Sequence, residues 1–102
     1  MKTNQYVQDF FDASEEKLAS ALDDATAQRW NSCASSLYYS AFDASRGILL
    51  SQNIITNDHS SVYKGILDLI IKKKILSAQW ENLLKDLLVL RQKADYPSKG
   101  IQ

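Results

Sequence analysis

The stretch RWNSCASSLYYSAFDASRGILL, residues 29–50, decides the fold of this chain. Apolar residues recur in it at steps of three and four, in one stripe of Trp30, Ala34, Leu37, Ala41, Ala44 and Ile48 and a parallel stripe of Tyr38, Phe42, Ser45 and Leu49. Two neighbouring stripes give a helix a broad apolar face. We therefore predict a helix over about residues 27–51 that lies at the centre of the molecule, with Gly47 allowing a neighbouring helix to approach closely.

The flanking sequence predicts three more amphipathic helices. The first covers about residues 4–24, and the third follows a loop, where Asn57 or Asp58 can cap it. The fourth follows Ser77 and continues to about Asp95, since Pro97 disfavours helix at the residue before it. Four amphipathic helices with short connections predict an all-α fold, an antiparallel up-down four-helix bundle that forms a single domain over residues 1–102.

The charges balance overall but are unevenly distributed. Twelve basic and twelve acidic residues give no net charge, which argues against a protein that coats nucleic acid by charge alone. Residues 1–25 contain two lysines and six carboxylates, a net charge of −4, and residues 64–102 contain eight basic and four acidic groups, a net charge of +4. The two regions could face different partners or meet head to tail in a homodimer, or they could be solvated helix faces.

The composition also bears on cofactors and compartment. Cys33 is the only cysteine, so no intrachain disulfide can form, and a reducing compartment is the natural setting. With one histidine and one cysteine, an ordinary zinc site cannot be assembled, and no glycine-rich phosphate loop is present. We expect no metal and no cofactor. The acidic N-terminal region does not resemble a secretory signal and no run reaches membrane-spanning length, so we expect a cytoplasmic protein.

The end of the fourth helix is the first place to look for function. Leu84, Leu88, Arg91 and Asp95 share one side of that helix, so an apolar stripe becomes ionic in its last turn. A buried charge is costly, which makes such a placement typical of a site or an interface. Arg91 can grip phosphate oxygens with two parallel hydrogen bonds, or it can form a structural ion pair with Asp95.

Three segments together resemble one known family. They are residues 29–50, quoted above, then NDHSSV at residues 57–62 and LRQKADY at residues 90–96. In their order and spacing they resemble the HEPN domain (higher eukaryotes and prokaryotes nucleotide-binding) of the small prokaryotic type. The resemblance covers roughly residues 29–96.

This resemblance implies a four-helix bundle that commonly dimerises, and often an RNA-cutting toxin encoded beside a minimal nucleotidyltransferase that acts as antitoxin. Catalytic members carry an arginine, four to six intervening residues and a histidine. Arg91 matches the arginine, but the corresponding later positions hold Tyr96, Pro97 and Ser98. The resemblance therefore leaves two functions open, a metal-independent endoribonuclease and a non-catalytic dimeric module that binds a nucleotidyltransferase partner.

The candidate site residues fall into two groups. The predicted catalytic group is Arg91, which would stabilise charge on the phosphate, with Asp95 orienting it and Tyr96 contributing to positioning. The predicted RNA- or nucleotide-binding group is Tyr39, Arg46, His59 and Lys93, since aromatic faces and guanidinium planes accept bases. Packing against another helix or subunit is the alternative for the aromatic residues. His59 can serve as a displaced base only if folding brings it near Arg91; otherwise it is a surface or packing residue.

Overall fold

The computed structural model describes residues 2–95, with side chains over residues 4–94. That part of the chain contains four α-helices and no β-strand. The helices are α1 (Lys2–Thr26), α2 (Trp30–Ser51), α3 (His59–Ile71) and α4 (Gln79–Asp95). The predicted all-α four-helix bundle is confirmed. None of the helices over residues 2–95 combines the length and the apolar character that crossing a membrane would require.

Helix α2 is central, as its two apolar stripes predict. α1, α3 and α4 all pack against α2, whereas α1 makes no close backbone approach to α3 or α4 over the described residues. The contact with α1 is tight at Gly47, where a Cβ atom would lie 3.1 Å from Phe11 Cε1 and 3.2 Å from Phe10 Cβ. The prediction that Gly47 permits close helix packing is therefore confirmed.

The connection between α1 and α2 differs from the prediction. The helix predicted from about residue 27 begins at Trp30 instead. Gln28 has a φ of 60°, a left-handed conformation that a right-handed helix cannot include. Arg29 then donates from Nε to Asp24 Oδ1 at 3.0 Å, so the turn is closed by a side-chain ion pair.

The loop after α2 runs back along that helix. Ile54 N donates to Leu49 O at 2.9 Å, and Arg46 Nε donates to Thr56 O at 3.1 Å. Asp58 then caps α3, accepting a hydrogen bond from Ser61 N at 2.8 Å, as predicted for a capping residue here. Because of this return path, α3 begins beside the middle of α2.

The core lies where α2, α3 and α4 meet. Its most deeply buried large residues are Leu49, Ile66 and Leu69, each 0% exposed, and Val62 at 1%. A Cβ atom on Gly65 would lie 2.9 Å from Leu49 Cδ2, so α3 sits directly against α2. This contact fixes the position of α3 on the central helix.

A buried hydrogen-bond chain anchors the first turn of α4. Trp80 Nε1 donates to Ser45 Oγ at 2.9 Å, and Ser45 Oγ donates to Ala41 O at 2.8 Å. Trp80 lies in the first turn of α4 and meets the later part of α2, so the two helices run antiparallel. Residues near the end of α4 are thereby brought alongside the middle of α2, where Tyr38 and Tyr39 lie.

Candidate functional site

Four rings form an aromatic cluster at the middle of α2. Tyr38, Tyr39 and Phe42 project from α2, and His59 comes from the first position of α3. Tyr38 and Tyr39 meet edge to face with ring centroids 5.2 Å apart, and the Phe42 ring lies 4.6 Å from the imidazole. The cluster joins residues that are about twenty positions apart in the chain.

Arg91 reaches this cluster from α4. Its Cζ atom lies 5.2 Å from the centroid of Tyr39 and 5.7 Å from that of Tyr38, both within the range of a cation–π contact. Arg91 is half-buried, one turn beyond the half-buried Leu88 and two beyond the buried Leu84. The stripe of α4 therefore ends, as the sequence predicts, with a guanidinium placed against other side chains.

His59 is held against the same tyrosine. Its Nδ1 atom and the Tyr38 hydroxyl form a hydrogen bond of 2.5 Å, and the two rings stack with centroids 5.5 Å apart. The residue as a whole is nevertheless exposed. A catalytic role for His59 was predicted only if folding brings it near Arg91. The structure places both residues on the Tyr38–Tyr39 pair.

The electrostatics keep the Tyr38 hydroxyl neutral. Burial raises the pKa of this phenol above its ordinary value, the neighbouring Tyr39 raises it further, and the Arg91 cation acts in the opposite direction. Asp58, the cap beside His59, has a lowered pKa, chiefly because the Ser61 backbone and side chain donate to it, with a smaller effect from His59. At neutral pH the site therefore contains an intact phenol beside the imidazole and a carboxylate at the helix cap.

A cleft of about 240 Å³ opens beside the cluster, between α2, α3 and α4. It is lined by Tyr38, Phe42, His59, Val62, Tyr63, Leu84, Lys85 and Leu88. Near it, Tyr63 donates to Glu81 Oε2 at 2.9 Å, and Lys85 Nζ lies 2.9 Å from the same oxygen. These two hydrogen bonds lower the pKa of Glu81, the one from Lys85 having the larger effect.

The structure brings together three of the predicted site residues, Tyr39, His59 and Arg91, and places Arg46 differently. The Arg46 guanidinium lies 4.4 Å from the Phe10 ring centroid of α1, and its Nε binds the loop carbonyl of Thr56. Asp43, three residues before Arg46 on α2, is buried and pairs with Lys17 of α1. At Arg46 and Asp43 the described contacts therefore show packing against α1.

The remaining predicted residues are Lys93, Asp95 and Tyr96. Lys93 is exposed in the last turn. Asp95 is the last residue of α4, and its side chain lies outside the described residues, as does the whole of Tyr96. The predicted roles of these three residues stay predictions.

The sequence pattern placed Tyr38 in an apolar stripe of α2 and did not identify Tyr63, Glu81 or Lys85. A signal for Tyr38 existed, because it belongs to the buried stripe of α2 and a buried phenol needs a hydrogen-bond partner. Glu81 and Lys85 lie four residues apart on α4, which is the spacing of a helical ion pair, so a local signal for that pair existed. No comparable signal exists for Tyr63, because its hydrogen bond joins α3 to α4.

This arrangement suits the chemistry of a phosphate and a base. A guanidinium offers two parallel donors to phosphate oxygens, an imidazole can take or give a proton near neutral pH, and ring faces accept stacked bases. Among the side chains of residues 4–94, no group of three or more histidine, cysteine, aspartate or glutamate residues is placed to hold a metal ion.

A family comparison agrees with the fold. The model of the HEPN domain matches residues 7–101, nearly the whole chain. No curated protein and no solved structure matches the chain significantly. The family match covers α2, α3, α4 and most of α1, and on this basis the chain belongs to the HEPN domain family.

Proposed function

We propose that this protein is the HEPN component of a prokaryotic toxin–antitoxin or defence system, and that it acts on or binds RNA or a nucleotide through the Arg91 region. In this proposal residues 1–102 form one domain, which works in the cytoplasm as a homodimer, as HEPN domains commonly do. Family membership supports the general role, and the cluster around Arg91 supports the location of the site.

The observation that carries the proposal is the position of the Arg91 guanidinium, 5.2 Å from Tyr39 and 5.7 Å from Tyr38. Contacts with two rings restrict the orientation of the planar group before a ligand arrives, which lowers the entropy lost on binding. Exposed parts of the neighbouring Tyr39 and His59 then offer ring surface beside a phosphate-binding cation. Phosphate and base recognition can thus occur within one patch.

An RNA-binding measurement tests this site. Fluorescence anisotropy with labelled bacterial tRNA is measured at one fixed salt concentration for the wild type, Arg91→Ala and Arg91→Lys. The control is Arg29→Ala, which removes the same charge from an exposed arginine that pairs with Asp24 at the α1–α2 turn. Fixed salt is needed because phosphate contacts are strongly salt-dependent.

We expect Arg91→Ala to weaken binding by about 10- to 100-fold, since a hydrogen bond to a charged group contributes about 1.5–3 kcal/mol. Arg91→Lys restores only part of the affinity, because an ammonium lacks the planar fork. Arg29→Ala stays close to the wild type. Equal losses in the Arg91→Ala and Arg29→Ala variants would mean that only overall charge matters and would refute a site at Arg91.

A second function, a non-catalytic dimeric module that binds a nucleotidyltransferase partner, is favoured by a different observation. Large apolar side chains are exposed on two helices, Leu18 and Leu22 on α1 and Leu83, Val89 and Leu90 on α4. Exposed apolar side chains of this kind are typical of a protein interface and not of an RNA-binding surface. Under this alternative the protein co-purifies with the product of a neighbouring nucleotidyltransferase gene and leaves bacterial RNA intact. RNA cleavage that depends on Arg91 would exclude this second function.

A further inference from the structure

No histidine follows Arg91 at the spacing of the family pattern, so another group must move the proton if this site cleaves RNA. Asp95 and Tyr96 follow Arg91 in sequence, but an aspartate near an arginine is a weaker base and a phenol is a poor one near neutrality. His59 is the only imidazole in the chain. The return path of the loop after α2 places it on the same tyrosine that Arg91 contacts.

We propose that His59 is the proton-accepting catalytic residue of this protein, with Tyr38 as the positioning residue that holds its imidazole on the ring pair that the Arg91 guanidinium also contacts. The inference rests on the proposed function, since it needs RNA at the Arg91 site. It differs from the family pattern because the histidine comes from the start of α3 and not from the end of the arginine-bearing helix.

The contacts of His59 fit this role better than they fit simple packing. A base must be held in one orientation and must also be reachable by substrate. Nδ1 bonds to the Tyr38 hydroxyl at 2.5 Å, and the ring lies 4.6 Å from Phe42 and 5.5 Å from Tyr38. The Asp58 cap fixes the backbone at the start of α3. The residue remains exposed in spite of these contacts. The proposed role requires that its other ring nitrogen, Nε2, belong to the exposed part.

The tautomer follows from this arrangement. For Nε2 to accept a proton, Nδ1 must carry the ring hydrogen and donate it to the Tyr38 oxygen. A phenol oxygen can accept that bond while its own hydrogen points elsewhere. Because burial raises the pKa of Tyr38, the phenol stays neutral throughout the range in which an imidazole titrates.

The resulting step is a transesterification within RNA. Nε2 takes the proton of a 2′-hydroxyl, the 2′ oxygen bonds to the adjacent phosphorus, and the bond from phosphorus to the 5′ oxygen breaks. The departing 5′ oxygen takes a proton from water, and the imidazolium returns its proton to the hydroxide so formed. The products are a 2′,3′-cyclic phosphate and a 5′-hydroxyl end, with Arg91 stabilising the charge on the phosphate oxygens.

The test separates cleavage from binding. Wild type, His59→Ala, Tyr38→Phe and the control Ser60→Ala are incubated with total bacterial RNA, and cyclic-phosphate ends are counted under single-turnover conditions. Binding is measured separately with the labelled tRNA. Ser60 is an exposed neighbour in the same turn of α3, so its substitution reports the effect of altering that turn. Circular dichroism verifies that each variant keeps its helices.

We expect His59→Ala to slow cleavage by about 100-fold or more, the usual contribution of a general base, while tRNA affinity changes less than about 3-fold. Tyr38→Phe keeps the ring but removes the hydroxyl, so it lowers the maximal single-turnover rate with little change in the protein concentration that gives half of that rate. Ser60→Ala behaves like the wild type.

The split between rate and half-saturation distinguishes positioning from packing. Tyr38→Phe leaves the ring in place, and with it the contacts of that ring with Tyr39, Phe42 and His59. An unchanged maximal rate would show that Tyr38 does not position the base.

Three outcomes overturn the inference in distinguishable ways. If His59→Ala cleaves as fast as the wild type, His59 is not the base. If the wild type binds tRNA through Arg91 but leaves total RNA uncut, the protein binds RNA without this chemistry, and the proposed site survives alone. If the wild type does not bind RNA at all, the proposed function fails and the inference fails with it.

Discussion

The hydrogen bond between Trp80 and Ser45 should control how α4 sits on α2, and it can be tested by a double-mutant cycle. Ser45 is 0% exposed and accepts from Trp80 Nε1 at 2.9 Å. Arg91 lies three turns further along α4, so this bond helps to set the register that places Arg91 on the tyrosines. The cycle uses Ser45→Ala, Trp80→Phe and the double variant.

Ser45→Ala is expected to change the free energy of unfolding differently in the wild-type and Trp80→Phe backgrounds. Ser45→Ala leaves the half-buried indole N–H without its acceptor, and an unsatisfied buried donor costs about 1–3 kcal/mol. For the unsatisfied indole N–H we expect a cost of about 1.5 kcal/mol, because water partly reaches a half-buried ring. The better helix propensity of alanine offsets about 0.5 kcal/mol of that cost. The net loss is about 1 kcal/mol. In the Trp80→Phe background no donor is stranded, so Ser45→Ala there costs nothing or stabilises slightly.

Urea denaturation followed by circular dichroism measures each free energy of unfolding, and thermal melting provides a second estimate. A loss of about 1 kcal/mol corresponds to about 4–8 °C in Tm for a domain of this size. A coupling energy of about 1 kcal/mol or more between Ser45 and Trp80 supports the anchor. Equal effects of Ser45→Ala in both backgrounds would refute it.

Three further predictions concern stability. The raised pKa of Tyr38 means that this residue stabilises the folded state fully below the ordinary phenol pKa near 10, and that the stabilisation is lost as pH rises through the pKa of Tyr38 in the folded protein. Tyr38→Phe should therefore flatten the fall in Tm at alkaline pH, whereas Tyr6→Phe, at an exposed tyrosine, should not. The lowered pKa of Asp58 means that its carboxylate stabilises the folded state above the ordinary carboxyl pKa, and that this stabilisation is lost as pH falls through the pKa of Asp58 in the folded protein. Asp58→Ala should therefore lower Tm at neutral pH but not in strong acid. Gly65→Val forces atoms into the space of Leu49 Cδ2, 2.9 Å from the added Cβ, and should destabilise the protein by about 1–3 kcal/mol in urea denaturation.

The helices were predictable because local patterns encode them. The second stripe of α2 contains the buried residues Tyr38, Phe42, Ser45 and Leu49, and the capping role of Asp58 follows from its residue type and position. The start of α2 was misplaced because nothing in the side chain of Gln28 signals a left-handed backbone.

The site was only partly predictable, since it depends on contacts between distant segments. The sequence identified Arg91 from its place in an apolar stripe, and the structure agrees on that placement. The meeting of His59 with Tyr38 depends on the course of the loop after α2, which helical periodicity does not encode. Arg46 shows the converse: it was predicted to bind RNA or a nucleotide, and only the fold reveals that it packs against Phe10 of α1.

Crosslinking of bound RNA offers the sharpest check that nucleic acid meets this cluster of rings. Bacterial tRNA is irradiated on the wild-type protein, and the modified peptides are identified by mass spectrometry. We predict crosslinks at Tyr39 and His59 that disappear in the Arg91→Ala variant. Crosslinks confined to the exposed lysines at residues 72–74, and unchanged by that substitution, would contradict an RNA-facing site at Arg91.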